Sequence, residues 1–196
     1  MARGDEVRPE TNPSVKFTYA DFLHFPGDGR RHEIVDGEHY VTPSPTTKHQ
    51  SITSKLTVKL GSYLERHPLG ALFVAPFDVV FSDVDVVEPD LLYISRERAG
   101  VLTDKHVRGA PDLVVEILSP DTRKTDEVTK RKLYERFGVR EYWIVDPELE
   151  TIKVDRSTNE VFARVAEFSA EAADSLATPL LPGFSVAVAD LFAPPF

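Results

Sequence analysis

Residues 109–138 read GAPDLVVEILSPDTRKTDEVTKRKLYERFG. The run PDLVVEIL is β-branched and apolar on both faces, the pattern of a strand covered on both sides of a sheet. Downstream, the spacing predicts a helix from Thr125 to Phe137, with Asp126 and Glu127 in the first turn, where the dipole favours anions, and Gly138 as its stop. REYWIVDP, residues 140–147, then reads as a second buried strand. One residue disturbs this pattern. Glu116 is an acid inside an apolar run, and an ionised carboxylate buried without a partner is very costly. Either it emerges into solvent at the strand end, the usual fate of a lone glutamate, or it is paired, hydrogen-bonded or bound to a metal.

The helix supplies a candidate partner. Its sheet-facing stripe runs through positions 126, 130, 133, 134 and 137, at spacings of three and four. Leu133, Tyr134 and Phe137 suit such a stripe, and Asp126 belongs to the first turn. Lys130 is the exception among them. Lys132 and Arg136 fall on another side and are expected to be solvated, with Arg131 intermediate. Lys130 either snorkels to the rim or meets Glu116.

Working outward, TYADFLHF (18–25) reads as a short helix capped by Thr18. HEIV and EHYV flank Asp36-Gly37, a strong two-residue hairpin signal that places Glu33 in the first strand. From Thr46 to Arg66, apolar residues recur at helical spacing as Ile52, Leu56, Leu60, Tyr63 and Leu64. Three strand-like runs follow, ALFVAPF, DVVFS and VVEPDLLYIS, and then a loop or short helix over residues 96–110. After REYWIVDP come a meander, TIKVDR and EVFARVAEF, and one last strand with a helical turn. This order predicts an α/β fold, a mixed sheet with helices on both faces. Residues 1–15 are expected to be a mobile tail and residues 16–196 a single domain.

Composition narrows the function. Of 196 residues, 41% are hydrophobic and 28% charged, as in ordinary globular proteins. No run reaches the roughly 18 apolar residues of a spanning helix, and no apolar signal core occurs, so a cytoplasmic protein without membrane contact is expected. The chain has no cysteine, which excludes disulfides, thiolate metal sites and cysteine nucleophiles. A net charge of −9 speaks against coating nucleic acid by bulk attraction. The charge is unevenly placed: residues 45–67 and 120–140 are each +3, while residues 141–196 are −7.

Asp90, after Pro89, opens the apolar part of its strand. If that strand neighbours the one carrying Glu116, the two carboxylates can converge on one divalent ion. Magnesium suits such a site, since it takes one or two carboxylates, keeps several waters and accepts phosphate oxygens. Two carboxylates and a lysine around a hard cation form a phosphodiester-cleaving constellation. Asp112 is the rival ligand, ranked lower because four residues of strand, roughly 13 Å, separate it from Glu116. His49 and Gln50 could approach substrate phosphate, although a solvated first turn is the plainer expectation. No HExxH, GxSxG or glycine-rich phosphate loop occurs, and Ser119-Pro120 reads as a turn.

EPD (88–90), PDLVVEILSPDTRKTDEVTKRKLYERFGVREYWIVDP (111–147) and HEIVDGE (32–38) together resemble a family of small bacterial restriction endonuclease-like proteins within the PD-(D/E)XK nuclease superfamily. The likeness runs from about residue 18 to 190. It implies a restriction-endonuclease-like mixed sheet flanked by helices and Mg2+-dependent cleavage of DNA, with Mn2+ able to substitute. Asp90 and Glu116 would be the metal ligands. Two residues after Glu116 stands Leu118 where the superfamily pattern has lysine, and Lys130 on the following helix matches the displaced lysine. Glu33 matches a further family acid beside the metal. A homodimer acting on both strands is the expected assembly. The alternatives are a non-catalytic nucleic-acid-binding or assembly module retaining the fold, and a hydrolase of small phosphate esters.

Overall fold

A computed structural model describes residues 15–196; the expected N-terminal tail lies, but for Val15, outside the described residues. Helix α1 (Tyr19–Phe22) carries the expected Thr18 cap, reinforced by Asp21 in a reciprocal capping box. Strands β1 (Arg31–Val35) and β2 (Glu38–Thr42) form the expected hairpin. Asp36 and Gly37 both have positive φ, 52° and 78°, the geometry that lets a two-residue turn follow the strand twist. Helix α2 (Thr47–Arg66) is capped by Thr46 and buries His49, Ile52, Thr53, Leu56, Leu60, Tyr63 and Leu64 along one stripe.

Strands β3 (Gly70–Val74), β4 (Val79–Ser82), β5 (Asp85–Val87) and β6 (Leu91–Ser95) follow. The run VVEPDLLYIS is therefore two strands and not one. Pro89 has no N–H to give a ladder, and the chain changes sheets there. β5 pairs with β1 and β4, whereas β6 pairs with β3 and β8 (Leu113–Ile117). A 3-10 turn, Arg96–Val101, and the short β7 (Val107–Arg108) occupy the stretch between β6 and β8.

The predicted helix over 125–137 begins as a π-helical turn, Thr125–Lys130, and continues as α3 (Arg131–Arg136). The N–H of Arg131 reaches the carbonyl of Asp126, and the buried Tyr142 hydroxyl donates to that same carbonyl. β9 (Glu141–Asp146) returns parallel to β8. β10 (Thr151–Thr158) and β11 (Val161–Ser169) form the meander, and β12 (Ser175–Leu176), β13 (Val186–Ala187) and α4 (Val188–Phe192) complete the chain.

The six-stranded sheet has the order β11-β10-β9-β8-β6-β3, and a five-stranded sheet has the order β2-β1-β5-β4-β7. In the six-stranded sheet only β8 and β9 are parallel. A parallel pair needs a crossover, and here the crossover is the π turn with α3. It packs Leu133 and Tyr134 against Val114, Tyr142 and Ile144, while α2 covers Leu113, Val115 and Trp143 on the opposite face. Helices thus lie on both faces, as the sequence predicts. Val114 and Glu116 share the face under the crossover, so the chain leaving β8 folds back over its own glutamate.

A methyl group at Gly37 would keep the positive φ and come within 2.5 Å of the Lys16 Cβ. Gly37→Ala is expected to lower stability by about 1 kcal/mol or more, read as a shifted urea midpoint with unchanged slope.

Candidate active site

Four elements deliver the site. β1 supplies Arg31 and Glu33, alternate residues on one face of the strand. The head of α2 supplies His49, the sheet-to-sheet passage supplies Asp90, and β8 with its crossover supplies Glu116, Asp126, Lys130 and Tyr134. Glu33, Asp90, Glu116, Asp126 and Lys130 are each at most 3% exposed.

Lys130 is the centre of the cluster. Its Nζ lies 2.8 Å from Glu33 Oε1, 3.0 Å from Glu116 Oε1 and 3.5 Å from Asp126 Oδ1. It does not snorkel to the rim. The Tyr134 hydroxyl donates to Glu116 Oε1 at 2.6 Å, and Glu33 Oε1 also accepts the Glu88 N–H at 2.8 Å. Burial works against a charged ammonium, but the three carboxylates outweigh it and hold the Lys130 pKa above its ordinary value. Lys130 is a permanent cation and not a base.

Asp90 is anchored on both oxygens. Oδ1 accepts from Arg31 Nη2 at 2.9 Å; Oδ2 accepts from His49 Nε2 at 3.1 Å and from the Ile117 N–H at 2.7 Å. The last bond ties Asp90 to the residue that follows Glu116, so the two carboxylates stand side by side. Burial opposes ionisation of Asp90, yet the His49 hydrogen bond, Arg31 and the Ile117 N–H prevail and bring its pKa to about 2. Glu116 goes the other way: burial pushes it up to about 8 against the pull of Lys130, with Asp126, Asp90 and Glu33 adding repulsion. Asp126 is pushed up to about 6, chiefly by burial.

Asp90 and Glu116 line a cavity of about 80 Å³, with Arg31, His49, Asp126 and Lys130, a volume that holds several waters. Four carboxylates (Glu33, Asp90, Glu116, Asp126) face two fixed cations (Arg31, Lys130), so full ionisation leaves two unbalanced negative charges. Among the described residues, no group of three or more His, Asp or Glu is arranged to hold a metal by itself. A magnesium ion asks for less, one or two carboxylates and waters. Glu116 Oε2 makes no hydrogen bond among the described residues, and Asp90 Oδ1 has a single donor and so a lone pair left. The donor chemistry fits a hard divalent cation.

His49 corrects the sequence reading: it is buried in the cavity wall. Its position was legible, since 49 is in phase with Ile52, Leu56 and Leu60. Gln50 is exposed, in a neighbouring cleft. Asp112 sits at the far end of β8, where it accepts the Ser95 N–H at 2.7 Å and lies 3.0 Å from Arg140. Arg136 is half-exposed yet bonded to Asp36 and Asp85, at 2.6 and 2.8 Å, not simply solvated. Arg31, and Asp126 as a cavity acid, escaped the sequence reading. Arg31 lies two residues before Glu33, and the period of a strand could have revealed it.

The parallel β8–β9 pair, its crossover helix and the buried acid–lysine cluster define a nuclease-like α/β fold. A solved structure described as a putative nuclease belonging to DUF820 from Anabaena variabilis ATCC 29413 has the same fold, with a TM-score of 0.75 and 23% identity over 90% of this chain and 97% of that one. The chain belongs to the Uma2 family, described as putative restriction endonuclease, whose model matches residues 19–189. No curated protein matches the chain. Among the described residues, no helix is long and apolar enough to cross a membrane.

The raised carboxyl pKa values bear on stability. The folded state keeps protons that the unfolded chain releases above about 4.5, the ordinary glutamate value. This contribution is full below that pH and is lost as pH rises towards 8. The melting temperature of the metal-free protein is therefore expected to fall between pH 6 and 8, and Glu116→Gln, which mimics the protonated acid, to remove most of the fall. An equally steep fall in the variant would place the proton elsewhere.

Proposed function

We propose that this protein is a Mg2+-dependent endonuclease that hydrolyses phosphodiester bonds in DNA, with Asp90 and Glu116 as metal ligands and Lys130 as catalytic lysine. The observation that carries the reading is the Lys130 ammonium, brought by the crossover helix to 3.0 Å from Glu116 in the cavity that Asp90 also lines. Family membership supports the same chemistry.

Magnesium, when bound, would polarise the phosphoryl group and acidify a water. The rest falls to the chain. Asp90 is ionised throughout the neutral range and is kept in one orientation by Arg31, His49 and the Ile117 N–H. Glu116, held up near 8 by burial and, less, by its acidic neighbours, becomes ionised when a cation balances the cluster. Lys130, always charged, donates to a phosphoryl oxygen or to the attacking water and stabilises the charge that grows in the transition state. Glu33 and Asp126 keep Lys130 in place. Mn2+ is expected to replace Mg2+, since carboxylate and water ligands suit both. A homodimer would let two such sites address two strands.

Removing Lys130 leaves three buried carboxylates without their cation, a change that costs about 3–5 kcal/mol where the acids stay ionised. Lys130→Gln is preferred to alanine for that reason. It is expected to retain the rise in melting temperature given by Mg2+ or Mn2+, while cleavage of plasmid or oligonucleotide falls by about a hundredfold or more. Glu116→Gln should lose both. Full cleavage by Lys130→Gln would remove the lysine from the mechanism. Nucleic-acid binding without metal-stimulated cleavage in the wild type would favour the non-catalytic binding module.

A further inference from the structure

Many cations of the two basic segments are already engaged. Lys48 pairs with Glu150 at 3.1 Å and Lys59 with Asp190 at 3.6 Å, while Lys55 donates to the carbonyls of Leu191 and Ala193. In the second segment Arg123 binds Asp146 and Glu148, and Arg131 binds Asp155. Arg31 and Arg30 line the hollows beside the carboxylates, Lys124 comes two residues after the opposite wall in sequence, and all three keep donors to offer. Arg31 gives one N–H to Asp90 and has others unused among the described residues. Arg30 is 65% exposed on one rim, its nearest acid, Asp28, 3.9 Å away. Lys124, exposed and without an ion pair among the described residues, follows the opposite wall.

The walls are stiff. One is the segment Thr42–Thr46, with Pro43 and Pro45; the other is Ser119–Thr122, with Pro120 and hydrogen bonds between Ser119 and Thr122. Proline fixes φ, so these walls resist splaying. The carboxylates lie at the floor. These carboxylates are at most 3% exposed, so a phosphate reaches them only by entering the cavity, which asks for local freedom of the backbone that pairing restricts. An unpaired strand keeps that freedom.

A second hollow of about 310 Å³ shares Arg31 and Thr42–Pro45 with the first and extends to Arg30, Gln50 and Glu88. Arg31 stands between the two and can hold the phosphate next to the scissile one. The Gln50 amide and the Glu88 carboxylate can meet a sugar or base edge. We propose that the substrate is an unpaired DNA strand lying across these two contiguous hollows, and not a paired duplex. This rests on the nuclease reading above.

Fluorescence anisotropy of the full chain, with Ca2+ in place of Mg2+, would compare one labelled oligonucleotide alone, as the flap of a partial duplex, and fully paired. The free strand and flap are expected to bind at least ten times more tightly than the duplex. With three phosphates contacted, log affinity against log salt should have a slope of about −2 for the free strand, and Arg30→Ala should lower that slope by about 0.7. Duplex binding as tight as strand binding would overturn the proposal and leave the nuclease reading intact. Strand binding as expected, with no cleavage in Mg2+ or Mn2+, would overturn the nuclease reading while upholding strand recognition. Hydrolysis of bis-p-nitrophenyl phosphate without binding of any oligonucleotide would overturn both.

Discussion

A single ammonium group, Lys130 Nζ, joins three carboxylates that come from three separate parts of the chain. Such a group cannot be buried alone, because desolvation of each ion costs several kcal/mol and only close partners offset it. Glu33 reaches it from the five-stranded sheet, Glu116 from the six-stranded sheet and Asp126 from its own π turn. The two sheets therefore meet around this charge. Removing any one acid changes both how the cluster titrates and how the sheets are held together.

Charges elsewhere obey the same economy. The uneven charge along the chain suggests two basic surfaces against an acidic tail, but the fold largely brings the two together. Glu150 and Asp190 take lysines of α2, Asp146 and Glu148 take Arg123, and Asp155 takes both Arg131 and Arg164. The acidic C-terminal third is thus a set of internal partners. What remains is a protein with net charge −9 whose uncommitted cations beside the site lie at its mouth. So few cations at that mouth limit how many phosphates one contact there could neutralise.

Local patterns were legible wherever one physical rule governed them. Asp36-Gly37 declared its turn because few residues accept positive φ, and α2 declared itself by a stripe of apolar residues. Lys130 was legible as an intruder in such a stripe. Asp126 was not, since a helix dipole already accounts for an acid in a first turn and nothing local reveals burial. The sheet change at Pro89 was hidden because both halves of VVEPDLLYIS are good strands, and only pairing partners distinguish them. His49 was singled out only as a possible phosphate contact, and Arg31 not at all, because their partner is remote. Each satisfies Asp90 from a distant part of the chain, 41 and 59 residues away; periodicity can place such residues on an inward face but cannot name their partner.

The lysine's place on a helix also changes how the site is assembled. Position 118, two residues beyond Glu116, holds a leucine 3% exposed in the core beneath α3, with Leu133 and Tyr134. A lysine there would bury a charge among apolar side chains. With the cation at position 130, position 118 is free for packing, and Leu118 shares one apolar layer with Leu133 and Tyr134 of the crossover helix. In the π turn the Tyr142 hydroxyl holds the Asp126 carbonyl one turn ahead of Lys130. A strand-borne lysine is in place once the sheet forms. Here the cation arrives only when the crossover docks, so the buried charge cluster and the hydrophobic layer beneath it are completed in the same step.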